Sequence, residues 1–196
     1  MYNELDISTY LREILNIDIF CIVSLSLWVI LFIYWVIRSK SRGILNEVVG
    51  LVKLIFSGLI LFIPAFLPFI FFAYKHFLAI QIIGLLMAFF GFVFCIIARE
   101  FLSLNWSGKV AIQEKHELIK NGPYKKIRNP IYFGVLVMTL GSSIIIGNLF
   151  CFIWTIFCFF GLYRKSKQEE KLLVGKFGEE YTQYKKESKM LIPYIL

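Results

Sequence analysis

Residues Ile131 to Tyr163 read IYFGVLVMTLGSSIIIGNLFCFIWTIFCFFGLY, and this stretch of 33 uncharged residues decides the fold. An α-helix needs about 20 apolar residues to cross the ~30 Å hydrocarbon layer of a bilayer. The stretch is therefore too long for one crossing and short for two. Two groups of turn-forming residues, Gly141-Ser142-Ser143 and Gly147-Asn148, interrupt it. We interpret it as a tight hairpin of two membrane-spanning helices.

Three further uncharged runs precede this hairpin, and each has the length of one crossing. They are Ile19 to Ile37, Leu54 to Tyr74 and Phe77 to Ala98, with 19, 21 and 22 residues. The predicted fold is therefore all-α, a polytopic membrane protein with five transmembrane helices. The predicted spans are residues 19–37, 54–74, 77–98, 131–145 and 148–163.

The composition of the whole chain favours a membrane protein as well. Of its 196 residues, 59% are apolar and only 17% are charged, and the mean hydropathy is +0.74. Soluble domains contain about 45–50% apolar and about 25% charged residues. These values exclude a soluble globule, a disordered chain and a secreted disulfide scaffold. The four cysteines lie in predicted spans without metal-ligand spacing, so we expect no metal site. We treat residues 1–196 as one integral membrane domain.

The distribution of basic residues predicts how the chain is oriented. With five spans and the N-terminus outside, 19 of the 21 Lys and Arg residues lie on one side of the membrane. Basic residues are retained on the cytoplasmic side, so the C-terminus is predicted to be cytoplasmic. This arrangement accounts for most of the net charge of +8, so a nucleic-acid partner is not expected. The small size favours a prokaryotic plasma membrane.

Two polar segments contain most of the charged residues, which the spans lack. Residues 105–134 read NWSGKVAIQEKHELIKNGPYKKIRNPIYFG, and residues 164–193 read RKSKQEEKLLVGKFGEEYTQYKKESKMLIP. In the second segment apolar residues recur at helical spacing from Leu172 to Tyr184, which predicts a cytoplasmic amphipathic helix. No span contains Asp, Glu, Lys or Arg, so a transporter has no evident charge carrier.

Both polar segments resemble one enzyme family. HELIKNGPYKKIRNPIYFG looks like the signature H-x-L-V-x-x-G-x-Y-x-x-x-R-H-P-x-Y-x-G of the isoprenylcysteine carboxyl methyltransferase and phospholipid methyltransferase family. QEEKLLVGKFGEEYTQYKKESKMLIP is similar to the family's second block, E-E-x-x-L-x-x-x-F-G-x-E-Y-x-x-Y followed by I-P. The two blocks occur in the family's order, with a hydrophobic hairpin between them.

The resemblance implies transfer of a methyl group from S-adenosylmethionine, which enters from the cytoplasm, to a lipophilic acceptor that enters from the bilayer. The family's substrate-binding Arg corresponds to Lys165, with Arg164 beside it. Glu170 and His116 are candidate bases if the acceptor has to lose a proton. The family's cofactor contacts correspond to His116, Glu117, Leu118, Ile119, Tyr124, Arg128, Asn129, Pro130, Ile131, Tyr132 and Glu169.

These residue types suit such a cofactor chemically. Glu169 can accept hydrogen bonds or pair with an amino group, and the rings of Tyr124 and Tyr132 attract a sulfonium cation. For a carboxylate acceptor, a low-dielectric pocket at the membrane boundary favours a reaction in which opposite charges cancel. The protein then mainly has to align the reacting groups.

Two departures from the family pattern leave the acceptor open. The family's R-H-P triplet is Arg128-Asn129-Pro130 here, and an amide cannot titrate as an imidazole does. Lys165 lacks the bidentate fork of the arginine that it replaces. We expect a carboxylate acceptor of isoprenylcysteine type, with a lipid amine or a thiol as alternatives. A non-catalytic membrane protein that binds partners is the competing class, and the oligomeric state is open.

Overall fold

The computed structural model describes residues 19–39, 78–102 and 118–196, and most of these residues are helical. Five α-helices are present in these ranges. They are α1 (Ile19–Ser39), α2 (Leu78–Leu102), α3 (Pro130–Ile146), α4 (Leu149–Phe177) and α5 (Glu179–Glu187), with a short 3₁₀ helix at Gly122–Lys125. No β-strand occurs in the described ranges, which agrees with the all-α prediction. The predicted span 54–74 lies outside them.

Two of the described helices, α2 and α4, are long and apolar enough to cross a membrane. The apolar parts of α1 (Ile19–Trp35) and of α3 are shorter. Large apolar side chains point away from the helix bundle, among them Ile83 (54% exposed) on α2 and Phe157 (62% exposed) on α4. Such surfaces fit a lipid environment. The total of five spans remains a prediction.

The turn between α3 and α4 lies at Gly147-Asn148, one of the two predicted turn groups. Gly147 has a φ of +66°, and its N–H donates to the carbonyl of Ser143 at 2.8 Å. Asn148 then caps α4, because its side-chain oxygen accepts from the backbone N–H of Phe150 at 2.9 Å. The two helices therefore reverse direction over two residues.

The other predicted turn group, Gly141-Ser142-Ser143, is wrong as a turn because α3 runs through it. The hydroxyls of Ser142 and Ser143 donate to the carbonyls four residues earlier, so the helix is not interrupted. Ser142 also accepts from the indole N–H of Trp28 at 3.0 Å and lies 2.9 Å from the hydroxyl of Ser24. These side chains therefore join α3 to α1.

Helices α2 and α3 pack closely through small residues. A Cβ atom added to Gly91 would lie 2.6 Å from the carbonyl oxygen of Gly134, and one added to Gly141 would lie 2.5 Å from the backbone nitrogen of Ala88. Gly84 likewise has room only for hydrogen, at 2.8 Å from the carbonyl of Gly141. The stripe of small residues on α2 thus places the start of α3 against the C-terminal half of α2.

Helix α4 continues without a break from its apolar part into the second polar segment. It runs through Arg164 and Glu170 and ends at Phe177, followed by Gly178 with a φ of +54°. The residues after Tyr163 are mainly Lys, Gln, Glu and Leu, which favour a helix. The predicted amphipathic segment is therefore partly an extension of a membrane helix, and only α5 is separate.

Candidate functional site

A cluster of three predicted site residues forms where the two motif blocks meet. The phenol of Tyr132, in the first turn of α3, donates to Oε1 of Glu169 on α4 at 2.7 Å. The ammonium of Lys165 lies over the Tyr132 ring, 5.2 Å from its centroid. Lys165 and Glu169 are four residues apart and so lie on one face of α4. We call Lys165, Tyr132 and Glu169 the tyrosine cluster.

Glu170, the residue after Glu169, lies in a buried ion pair. Its Oε1 is 2.6 Å from Nε of Arg128, and these two side chains are only 4% and 8% exposed. Lys185 of α5 approaches the other oxygen of Glu170 at 3.6 Å. Nη1 of Arg128 also donates to the carbonyl oxygens of Ser188 and Lys185. Glu170 thus joins α4, α5 and the first motif block, a position that favours a structural role over proton transfer.

The segment after α5 pairs with the residues before α3. The N–H of Arg128 donates to the carbonyl of Lys189 at 2.8 Å, and the N–H of Lys189 donates to the carbonyl of Lys126 at 2.9 Å. Both the backbone N–H and the side-chain amide of Asn129 donate to the carbonyl of Met190, at 3.1 and 3.0 Å. Asn129 therefore attaches the C-terminal segment to the first block at the position where the family has histidine.

Tyr124, a predicted cofactor contact, connects three elements in the structure. It is 6% exposed, and its phenol donates to the carbonyl of Ala98 on α2 at 3.2 Å. Its own carbonyl accepts from the phenol of Tyr184 on α5 at 2.5 Å. Burial raises the pKa of the Tyr124 phenol well above its usual range and raises that of Tyr184 to about 12. Both phenols are therefore neutral donors at physiological pH.

The remaining predicted site residues are divided between the protein core and the surface. Arg164 is exposed, whereas Leu118 and Ile119 are half-buried, and Ile119 packs against the core shared by α1, α2 and α3. Pro130 is the first residue of α3 and is fully buried, and Ile131 beside it is 8% exposed. His116 and Glu117 lie outside the described residues.

Three residues near the cluster were not predicted from the sequence. Ser188 and Lys185 bind Arg128 through their carbonyls, and a carbonyl contact leaves no signature in a sequence. Ser166, on α4 between Lys165 and Glu169, is fully buried, and its hydroxyl has no hydrogen-bond partner among the described residues. A buried hydroxyl without a partner is costly, so it marks a place where a bound polar group would fit.

The fold and the cluster define a helical membrane protein with a polar site at the ends of its apolar helices. The sequence model of the isoprenylcysteine carboxyl methyltransferase (ICMT) family matches residues 82–175. This range contains all three members of the tyrosine cluster and both partners of the buried ion pair. This match supports the ICMT family, as the motifs of the chain predict.

Individual relatives agree with this family. The chain is 28% identical over 119 residues to a protein-S-isoprenylcysteine O-methyltransferase of Xenopus laevis, over 59% of this chain and 41% of that protein. It is 29% identical over 142 residues to the protein of the same name in Dictyostelium discoideum, over 70% and 59% of the two chains. A methanethiol S-methyltransferase 1 of Bradyrhizobium diazoefficiens is 38% identical over 73 residues, over 36% and 24%. The chain thus covers less than two thirds of the length of each of these relatives.

Proposed function

We propose that this protein is an integral membrane methyltransferase that moves a methyl group from S-adenosylmethionine to a lipophilic acceptor. The observation that carries the proposal is the tyrosine cluster, in which a substrate residue and two cofactor residues implied by the family motifs come together. The family and the names of the relatives support a methyltransferase. When bound, S-adenosylmethionine would supply an electrophilic methyl group on a sulfonium.

The residues of the cluster fit this cofactor. The face of the Tyr132 ring already holds a cation at 5.2 Å, and a sulfonium on such a face gains about 0.5–2 kcal/mol. Glu169 uses Oε1 for Tyr132, and its second oxygen has no hydrogen bond within the described ranges. That oxygen would accept from an amino group or a ribose hydroxyl. Ser166 offers a further buried hydroxyl, whereas His116 and Glu117 remain expected contacts.

The residues around the cluster favour an acceptor that needs no base. Glu170 is held between Arg128 and Lys185, so its carboxylate is neutralised by two cations. Tyr132 donates to Glu169 and keeps that carboxylate oriented. Lys165 would hold a carboxylate acceptor by charge, and a carboxylate has no proton to lose. We therefore propose a carboxylate of isoprenylcysteine type as the acceptor.

A thiol is the second candidate acceptor, and a lipid amine is the third. The similarity to the methanethiol S-methyltransferase favours the thiol, because the two chains are 38% identical over the matched 73 residues. Lys165 also favours a thiol over a carboxylate, since a single ammonium does not provide the bidentate geometry that suits a carboxylate. A thiol would have to lose its proton, for which His116 is the candidate base.

Cofactor binding is tested by isothermal titration of the full chain in nanodiscs with S-adenosylmethionine. We expect Glu169→Gln to weaken binding at least about tenfold, because a charge-assisted hydrogen bond is lost. Glu179→Gln, in the exposed first turn of α5, is the matched control and should leave the affinity unchanged. Equal affinities of the Glu169→Gln variant and the wild type would remove Glu169 from the site. If the wild type does not bind S-adenosylmethionine, the proposed methyltransferase activity is refuted.

The acceptor is tested with methyl-labelled cofactor and a panel of prenyl-cysteine analogues, thiols and lipid amines. A methyl ester releases labelled methanol in alkali, whereas a methylated thiol or amine does not. Alkali-labile label on a prenyl-cysteine supports the carboxylate acceptor, and stable label on a thiol supports the second candidate. If the chain binds the cofactor and methylates none of them, the partner-binding alternative is favoured.

We further propose that the protein is a multi-pass protein of a prokaryotic plasma membrane, with the N-terminus outside and the C-terminus in the cytoplasm. The apolar helices and the family support a membrane protein, and the distribution of basic residues supports the orientation. A cysteine placed at the exposed Lys186 of α5 tests it. Labelling of this cysteine by an impermeant reagent applied from outside intact cells would refute the orientation.

A further inference from the structure

We propose that residues 192–196, here named the C-terminal turn, form a surface that binds phospholipid. In this arrangement Tyr194 and Ile195 lie at the boundary between head groups and acyl chains, and Lys126 binds a lipid phosphate. The proposal does not depend on the methyltransferase activity. It assigns to this turn a direct contact with the bilayer outside the membrane-spanning helices.

The first argument is the depth at which the C-terminal segment ends. Leu191 is fully buried and packs with Leu136 of α3 and Cys158 of α4. Leu136 lies six residues after Pro130, and Cys158 lies six residues before Arg164, where the charged part of α4 begins. At 1.5 Å per residue both contacts lie about 9 Å inside the apolar part of the helices. The segment therefore descends to the level of the bilayer.

The second argument is the exposure of the residues that follow. Tyr194 and Ile195 are 75% and 76% exposed, although both are large apolar side chains. They lie three and four residues after Leu191, within about 14 Å along the chain. At this depth α4 also presents exposed apolar residues, including Phe157 and Phe160. The turn thus exposes large side chains at a level where α4 exposes apolar side chains as well.

The third argument is the backbone of the turn, which is strained. Tyr194 has a φ of +65°, the only positive φ of a non-glycine among the described residues. Such a conformation costs about 1–3 kcal/mol and persists only where the surroundings impose it. The carbonyl of Ile192 accepts from the N–H groups of Ile195 and Leu196, and the carbonyl of Leu196 accepts from those of Leu191 and Ile192. These bonds turn Tyr194 and Ile195 outward.

The fourth argument is the position of Lys126. Its ammonium donates to the phenol of Tyr194 at 2.7 Å and lies 5.3 Å from the centre of that ring. Within residues 19–39, 78–102 and 118–196, no carboxylate forms an ion pair with Lys126. Two donors of the ammonium are thus available, beside an amphipathic tyrosine of the kind that is enriched at membrane interfaces. A lipid phosphate is complementary to this arrangement.

The lipid contact would also support the candidate site. The carbonyl of Met190, two residues before Ile192, accepts both hydrogen bonds from Asn129, and Lys189 pairs with Arg128. A turn that is held at the bilayer restricts the motion of this segment. Lys126 also holds this segment, because its backbone carbonyl accepts from the N–H of Lys189.

The test is the depth of a nitroxide label on Ile195→Cys. The chain is prepared with its four native cysteines replaced by alanine and is reconstituted in phosphatidylcholine–phosphatidylglycerol nanodiscs. Collisions with oxygen and with a polar nickel chelate are measured by electron paramagnetic resonance. Because hydrocarbon excludes the chelate, we expect an oxygen-to-nickel ratio about tenfold higher than for a label on Lys186→Cys of α5. Equal ratios at the two positions would overturn the proposal.

Two further measurements separate the alternatives. If the turn instead contacts a second copy of the chain, the label at 195 is shielded from both reagents and shows dipolar broadening, which also overturns the proposal. Lys126→Gln in the labelled chain should lower the oxygen-to-nickel ratio about threefold, because the turn loses its contact with the phosphate. Lys186→Gln is the matched control. An unchanged ratio in Lys126→Gln would refute the phosphate contact.

Discussion

Replacing Glu170 by glutamine should destabilise the protein more than replacing any exposed glutamate. Glutamine keeps the shape of the side chain but removes its charge, and it leaves the guanidinium of Arg128 buried at 8% exposure. At 2.6 Å and an effective dielectric constant of about 20, the attraction within the pair is about 6 kcal/mol before desolvation is subtracted. Breaking a buried ion pair on one side costs about 3–5 kcal/mol.

The lower end of this range applies here for a structural reason. Arg128 keeps the carbonyl oxygens of Ser188 and Lys185 as acceptors after the substitution, so its charge is only partly uncompensated. We therefore expect a loss of about 3 kcal/mol in the free energy of unfolding. For a chain of this size, 1 kcal/mol corresponds to about 2–4 °C in Tm, so the expected decrease is about 6–12 °C.

The assay is thermal unfolding of the full chain in detergent at one fixed heating rate, followed by tryptophan fluorescence. Glu180→Gln is the matched control, because it breaks an exposed ion pair with Lys120 whose N–O distance is 2.7 Å. Exposed pairs contribute about 0–1 kcal/mol, so its Tm should fall by no more than about 4 °C. Trypsin should also cleave after Lys189 faster in Glu170→Gln. Equal Tm values for the two variants would refute a structural role of Glu170.

Three other substitutions test the packing and the site. Gly91→Ala should destabilise the chain by about 1–3 kcal/mol in the same thermal assay, because its Cβ would lie 2.6 Å from the backbone of α3, whereas Gly161→Ala, with nothing within 4 Å, should not. Ser142→Ala removes the acceptor of the Trp28 indole N–H and should lower the free energy of unfolding by about 1–3 kcal/mol. The control is Ser26→Ala, which should lower it by less than about 0.5 kcal/mol, because the exposed hydroxyl of Ser26 bonds only its own helix. Lys165→Ala should leave the affinity for S-adenosylmethionine unchanged in titration and reduce methyl transfer about tenfold or more, and normal turnover would exclude a substrate role.

The helical hairpin shows how far the sequence predicts the fold. Gly147-Asn148 was predicted as a turn and is one, because a glycine with positive φ and an asparagine cap act through their own backbone. Gly141-Ser142-Ser143 has the same turn-forming composition but lies inside α3. Its glycine faces α2 and its serines bond α1 and α4, so tertiary contacts decide its conformation.

The site shows a similar limit. The motifs identify Tyr132, Lys165 and Glu169, and the structure brings these three together. The motifs also left Glu170, which is adjacent to Glu169 and identical in type, as a candidate base. Because consecutive residues of a helix are rotated by about 100°, the carboxylate of Glu169 faces Tyr132 and that of Glu170 faces Arg128. Only the packing of α3, α4 and α5 determines this assignment.

The sequence by itself determined the membrane class, the resemblance to the ICMT family and the residue types at the site, because hydropathy and motif spacing are properties of the chain alone. The tertiary structure decided which of these residues meet and which stabilise the fold. It assigned Glu170 and Asn129 to attachment of the C-terminal segment, and it packed Leu191 of that segment against α3 and α4. These outcomes depend on contacts between residues about 40–60 positions apart, where local periodicity carries no information.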